Sequence, residues 1–373
     1  MAPRRDRTAR WSGDAGIRRS GCVLSGRSSR RGPDDRDFDL HGELRTVSAL
    51  DSVRAQDGAV RALSRAREHG RIASAYLFDG PSGVGKELAA VAFATDVVAG
   101  GDPHIVARIK SGSHPDVRVF GPRDEGKRNI QVDVLRNEIL PLAQFAPFEA
   151  ASTFFIFPEA DVSFPVFQPE AANALLKTLE EPRPNVHFIL TSERPDSLLP
   201  TIRSRCQRVR FARLPDALLR DILQSEGVTD DSIAPAIALS AGRADVALAL
   251  AKDGAVDALT DLILSVDDAV RGSGPGALVE LSEQLARRAD LELALLTLQT
   301  FYRDVAVTSL GVPAEGLGFS TRGEELQERI TSVSSSAAAA RVSLIHQCVR
   351  SMQQNANRQV ALDSLLFGLR NLC

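Results

Sequence analysis

Residues 77–90 read LFDGPSGVGKELAA. Gly80, Gly85 and Lys86 fit the pattern G-x-x-x-x-G-K, and Gly83 adds a further glycine inside the loop. Such glycines let backbone N–H groups turn inward around phosphate oxygens. A lysine in this place neutralises the oxygens, and the start of the next helix adds its dipole. The short pattern gains meaning from its context, a strand before it and a helix after it. Both are expected: Ala75 to Phe78 is a short run of β-formers, and the stretch from about Gly85 to Val98 is rich in Ala and Val and is stopped by Gly100–Gly101. The last diagnostic position departs from the pattern. A hydroxyl that ligates magnesium belongs after the lysine, and Glu87 stands there.

Further along, STFFIF (152–157) and NVHFILTS (185–192) carry no acidic, lysine or arginine side chain and suit strands buried on both faces of a parallel sheet. Between them EAANALLKTLEE reads as a helix, ended by Pro182 and Pro184. Strand, helix, strand, helix predicts an α/β fold with a parallel sheet. The stretch IQVDVLRNEIL (130–140) also reads as a helix. A phosphate-loop site takes its second half from an acidic residue at the end of a neighbouring buried strand, which completes the magnesium sphere. Here Pro158 follows STFFIF directly, and only then comes Glu159, whose carboxylate could polarise water. Both magnesium positions are altered, so the expectation is a phosphate-loop fold that does not hydrolyse ATP.

The chain has 373 residues, 43% apolar and 25% charged, with a net charge of −3. Two or three domains are expected, and any nucleic-acid contact has to come from local patches. The four cysteines, Cys22, Cys206, Cys348 and Cys373, form no C-x-x-C pair. That argues against a zinc ribbon and a disulfide framework and for a reducing cytoplasm. No apolar run reaches membrane-spanning length and no secretory signal opens the chain. Residues 1–45 hold eleven Arg and the single Trp, Trp11, without apolar periodicity, and read as a disordered Arg-rich extension. The α/β core is expected over 46–212, short helices over 213–265 and a helical bundle over 266–373. Leu295, Leu298, Phe301 and Tyr302 are spaced as the core of a bundle helix, and His114 in HPD reads as a turn residue.

Four stretches fall in one order: AYLFDGPSGVGKE (75–87), AANALLKTLEEP (171–182), HFILTS (187–192) and LLPTIRSRCQ (198–207). Together they resemble the clamp-loader subunits of bacterial DNA polymerase III, well over residues 50 to 250 and loosely beyond. AANALLKTLEEP and TIRSRCQ are long and specific, unlike the glycine loop. The resemblance implies an AAA+ core, a helical lid over 213–265 and a C-terminal helical collar over 266–373 that joins five subunits. It also implies the partners: gamma or tau motor subunits, delta, the sliding clamp, and primed DNA reached through the assembled complex. The motor subunits of the family carry Gly-Lys-Thr, an Asp-Glu pair after the second strand and four zinc-binding cysteines. Glu87, Pro158 and the cysteine-free stretch 99–116 depart from all three, so the sequence resembles the non-motor members. Zinc is not carried over, no cofactor is required, and ATP or ADP binding is expected to be weak.

The resemblance gives Ser204, Arg205 and Cys206 a role. In the family this arginine reaches across a subunit interface to the neighbour's ATP, as an arginine finger. Read from the residues alone, Arg205 lies with Arg203, Arg208, Arg210 and Arg213 and no acid among them, a solvated basic edge. Cys206 reads as a packed small hydrophobe, with no base beside it in sequence. Thr191 occupies the position where AAA+ proteins sense the γ-phosphate, and Arg243, in SAGRAD, a lid position that touches nucleotide. The rival readings are an active AAA+ ATPase of the gamma/tau type, an unrelated phosphate-loop enzyme, and a free DNA-binding protein. The last is disfavoured by the net acidity.

Overall fold

The computed structural model describes residues 48–121, 130–164, 169–252, 254–272, 274–311, 317–319, 333–353 and 356–372. The Arg-rich extension, with Trp11 and Cys22, lies outside them, as does Cys373. Five strands form one parallel sheet in the order β2-β3-β4-β1-β5. They are β1 (Ala75–Asp79), β2 (Val117–Val119), β3 (Thr153–Phe157), β4 (Val186–Ser192) and β5 (Gln207–Arg210). Every residue of β1, β3 and β4 is buried, which is why their sequences run as β-formers instead of alternating with polar residues. Their side chains alternate between two cores. Tyr76, Phe78, Phe154, Ile156 and Ile189 enter one, and Leu77, Phe155, Phe157, Phe188 and Leu190 enter the other.

Helices α1 (Asp57–Glu68), α2 (Lys86–Val98) and α3 (Pro103–Lys110) bury apolar residues in the first core. The sequence reading did not foresee α3, although Asp102 caps it by accepting from the His104 N–H at 2.8 Å and Pro103 opens it. The second core is covered by α4 (132–142), the short α5 (Ala160–Ser163), α6 (Pro169–Glu180) and α7 (Pro200–Arg203). The expected helix α4 is present in a modified form. It runs through Val132–Val134, widens to a π-helical turn at Leu135–Ile139 and closes at Leu140–Leu142. Pro141 explains the widening, because it has no N–H to donate and its ring crowds the carbonyl four residues back.

After β5 the described chain is helical: α8 (Asp216–Ser225), α9 (Asp230–Ser240), α10 (Ala244–Leu250), α11 (Ala255–Gly272), α12 (Pro275–Ala286), α13 (Leu291–Thr308), α14 (Ser335–Gln353) and α15 (Arg358–Arg370). Leu295, Leu298, Phe301 and Tyr302 of α13 are buried, and the first core continues unbroken from the sheet to Leu369. A polar cluster interrupts the apolar packing of this region. Asp267 of α11 accepts from the Tyr302 hydroxyl at 2.9 Å and pairs with Arg271 at 2.8 Å and Arg341 at 3.5 Å. The Arg341 guanidinium lies 5.0 Å above the Tyr302 ring. Burial, and then the Asp267 charge, hold the Tyr302 phenol well above its ordinary pKa.

A second buried carboxylate fixes the approach to β3. Asp116 accepts from the N–H groups of Phe148, Glu149 and Ala150 at 2.7, 2.8 and 3.0 Å and from the Thr153 hydroxyl at 3.0 Å. Beside it His114 is also buried and accepts from the Asp116 N–H through Nδ1 at 3.1 Å. Burial alone would raise the Asp116 pKa, but the four donors outweigh it and the pKa falls below 3.8. A folded pKa below the unfolded one means stability that is present above the unfolded value and lost as pH falls through the folded value. Asp116→Asn is therefore expected to cost about 1–3 kcal/mol. The difference in melting temperature from wild type should hold steady between about pH 5 and 7 and shrink below about pH 4. A difference that grows on acidification would contradict this account.

Candidate functional site

The phosphate loop joins β1 to α2, and each glycine there has a physical reason. A methyl group at Gly80 would overlap the Phe211 carbonyl, and Gly83 and Gly85 hold φ of +64° and +90°, the left-handed region. Gly85 is the residue before α2, so the helix start points into the loop. The Gly80 N–H donates to the Ser192 carbonyl at 3.2 Å, and the Glu159 N–H donates to the Thr191 hydroxyl at 3.3 Å. These bonds gather the carboxyl ends of β1, β3 and β4, the crevice where open α/β sheets bind ligands.

Lys86 is only 8% exposed, and its ammonium donates to the carbonyls of Gly80, at 2.7 Å, and Pro81. Desolvation lowers its pKa, opposed by the charges of Glu193, Asp161 and Asp245. Glu87 occupies the first turn of α2, and its pKa is raised by desolvation and then by the Glu159 charge. Two carboxylates therefore repel each other where a magnesium site would place one hydroxyl and one acid. Pro158 offers no side-chain ligand, and Glu159 follows it in a left-handed conformation with φ 47°, a strained backbone for a residue with a Cβ. The residues present do not fit a magnesium ion held in the usual phosphate-loop manner.

Other site residues escaped the sequence reading. Asp161, buried at the start of α5, accepts from the Ser192 hydroxyl at 3.0 Å, the Glu193 N–H at 3.3 Å and Arg194 Nε at 3.0 Å. Arg243 pairs with Glu193 at 3.5 Å and Asp245 at 3.1 Å. Asp245 accepts from the Ser82 hydroxyl at 2.8 Å, and the neighbouring Ala244 N–H donates to the Gly83 carbonyl at 3.1 Å. Thus Gly80, Gly83, Gly85, Lys86, Glu87, Glu159, Thr191 and Arg243 are gathered around one crevice. A weak signal existed for Asp161 and Asp245: each lies two residues beyond a position singled out, Glu159 and Arg243.

Ser204, Arg205 and Cys206 follow α7 on the way to β5. Arg205 donates through Nη2 to Glu180 at 2.6 Å and through Nη1 to the Thr201 carbonyl at 2.9 Å, and its side chain is one-third exposed. Glu180 is the last residue of α6, so the two most specific stretches of the sequence meet here. Ser204 donates to the same Thr201 carbonyl at 3.1 Å. Burial pushes the Cys206 thiol up to about 12, which makes it a poor nucleophile at neutral pH. Arg205, Arg208 and Arg210 are exposed, as a solvated basic edge implies, but the run is not without acids in space. Arg203 pairs with Asp196, and Arg208 with Asp79.

A five-stranded parallel sheet in this order, with a phosphate loop after β1 and helices following, defines an α/β phosphate-loop fold with a helical C-terminal half. A family model described as DNA polymerase III, delta subunit, matches residues 55–215. The chain is 32% identical over 181 residues to DNA polymerase III subunit delta' of Bacillus subtilis, covering 47% of this chain and 53% of that protein. It is 31% identical over 233 residues to subunit delta' of Haemophilus influenzae, covering 60% and 69%. It is also 31% identical over 216 residues to subunit gamma/tau of Mycobacterium tuberculosis, covering 54% and 36%. This chain belongs to the family of DNA polymerase III subunit delta', and it spans about half the length of the Bacillus relative.

Proposed function

We propose that the chain is a non-motor subunit, a stator, of the replicative clamp loader. In this reading residues 266–373 form the collar that joins neighbouring subunits, residues 213–265 form the lid, and Arg205 is offered to the ATP of an adjacent gamma or tau subunit. The partners are gamma or tau, delta, the sliding clamp and, through the assembled complex, primed DNA. The observation that carries the reading is the state of the chain's own loop. Lys86 is turned onto the carbonyls of Gly80 and Pro81, Glu87 replaces the hydroxyl, and Pro158 replaces the acid. A guanidinium held at the surface by Glu180 supports the second half, because Arg keeps its charge at any working pH and presents a planar fork to phosphate oxygens.

The isolated chain is expected to hydrolyse ATP at no more than background. A steady-state phosphate-release assay on wild type and Lys86→Ala checks this. Steady turnover by wild type that vanishes in Lys86→Ala would make the chain a motor.

A further inference from the structure

The loop that does not fit magnesium is also engaged by another part of the chain. The stretch 243–245, at the start of α10, reaches it through two hydrogen bonds: Ser82 to Asp245 at 2.8 Å and Ala244 N–H to the Gly83 carbonyl at 3.1 Å. The Asp245 carboxylate lies so close to the Gly83 Cα that a methyl group there would overlap it, so the approach requires glycine. Arg243 ties the far side of the contact by bridging Asp245 and Glu193. The bend that delivers this stretch is built for it, with Ala241 and Gly242 at φ of +53° and +77° and no room for a side chain on Gly242 beside Arg213.

We propose that Ser82, Gly83, Arg243 and Asp245 form a clasp that closes the phosphate loop, with Asp245 as the internal anion that keeps polyphosphates out. The proposal rests on the reading that this loop does not turn over nucleotide, and it supplies a cause for weak binding that is separate from Glu87. The Lys86 ammonium is already engaged by the carbonyls of Gly80 and Pro81, and the Asp245 carboxylate sits against Ser82 and Gly83, so an arriving polyphosphate meets an occupied cation and a like charge at the loop. Glu87 alone would disturb magnesium and leave the backbone N–H groups open to phosphate. With the clasp, even metal-free diphosphate has to displace a carboxylate first.

The test uses the full chain, with metal-free ADP and inorganic pyrophosphate as probes in calorimetric titrations. Asp245→Ala removes the anion and its bulk, and Asp245→Asn removes the charge while keeping the shape. Asp245→Ala should bind ADP at least tenfold more tightly than wild type, with Asp245→Asn between the two, and pyrophosphate should follow the same order. Amide exchange at residues 82–86 should speed up in Asp245→Ala and slow again with ADP. The side chain is nearly half exposed, so both variants should melt close to wild type. Equal ADP affinity for wild type and both variants, or unchanged exchange over 82–86, overturns the clasp. Hydrolysis by the wild-type chain would instead overturn the stator reading, whatever the binding order of the variants.

Discussion

Replacing Arg205 by alanine is expected to leave the fold and assembly intact while cutting ATP hydrolysis by a rebuilt complex. The first half follows from the local contacts. Arg205 loses one surface ion pair and one bond to a carbonyl, and exposed pairs of this kind are worth about 0–1 kcal/mol. The second half follows from where the charge is used under the stator reading. An arginine supplied to a neighbour's γ-phosphate contributes about 10³–10⁵ in rate at that one site. Motor sites with fingers of their own keep working, so total hydrolysis should fall in part. Arg205→Lys should rescue poorly, because a point charge cannot copy the fork, and Lys86→Ala should matter little. Clamp- and DNA-stimulated hydrolysis by complexes rebuilt with each variant measures all three. A silent Arg205→Ala beside a crippling Lys86→Ala would reverse the roles.

The largest stability effect is expected in the helical half. Asp267, Tyr302 and Arg341 are each 0% exposed, and Asp267 is the carboxylate that Tyr302, Arg271 and Arg341 share. Asp267→Ala removes it from a place with little water to take over, and breaking a buried pair of this kind costs about 3–5 kcal/mol. That corresponds to a fall in melting temperature of about 5–15 °C. Replacing the two buried charges together, Asp267→Leu with Arg341→Met, should recover much of the loss, because apolar groups of similar volume do not need the ion pair. Thermal melts of the single and double variants decide it. A double variant no more stable than the single would show that Arg341 has a role apart from charge balance.

What the sequence disclosed and what it withheld have separate physical causes. The strands β1, β3 and β4 were legible because a strand buried on both faces has to be apolar throughout. The strand β5 was not, because only Val209 of Gln207–Arg210 faces the core, and four mostly polar residues carry no strand signal. The π turn in α4 is not legible in IQVDVLRNEIL itself, because its cause, Pro141, lies just beyond that stretch. At the site, the loop glycines and Lys86 were legible because their chemistry is local. The partners Asp79 and Arg208 lie 129 positions apart, and Ser82 and Asp245 lie 163 apart. No spacing rule reaches across such separations, so the basic run shows no acid beside it in sequence and nothing singles out Asp245.

The sheet is open, and both of its rims are poor templates for another chain. An unpaired strand offers a row of N–H and C=O groups to any extended peptide, and the hazard grows with its length and flatness. At one rim β2 is three residues long, with Arg118 folded back onto the Pro115 carbonyl. At the other, β5 presents Arg208 and Arg210 to solvent and turns only Val209 inward. A second copy laid along either rim would find few bonding positions at the first and a four-residue strand with three exposed polar or charged residues at the second. Fibrillar stacking through this sheet is thereby disfavoured, because both exposed edges are short and carry mostly polar or charged side chains.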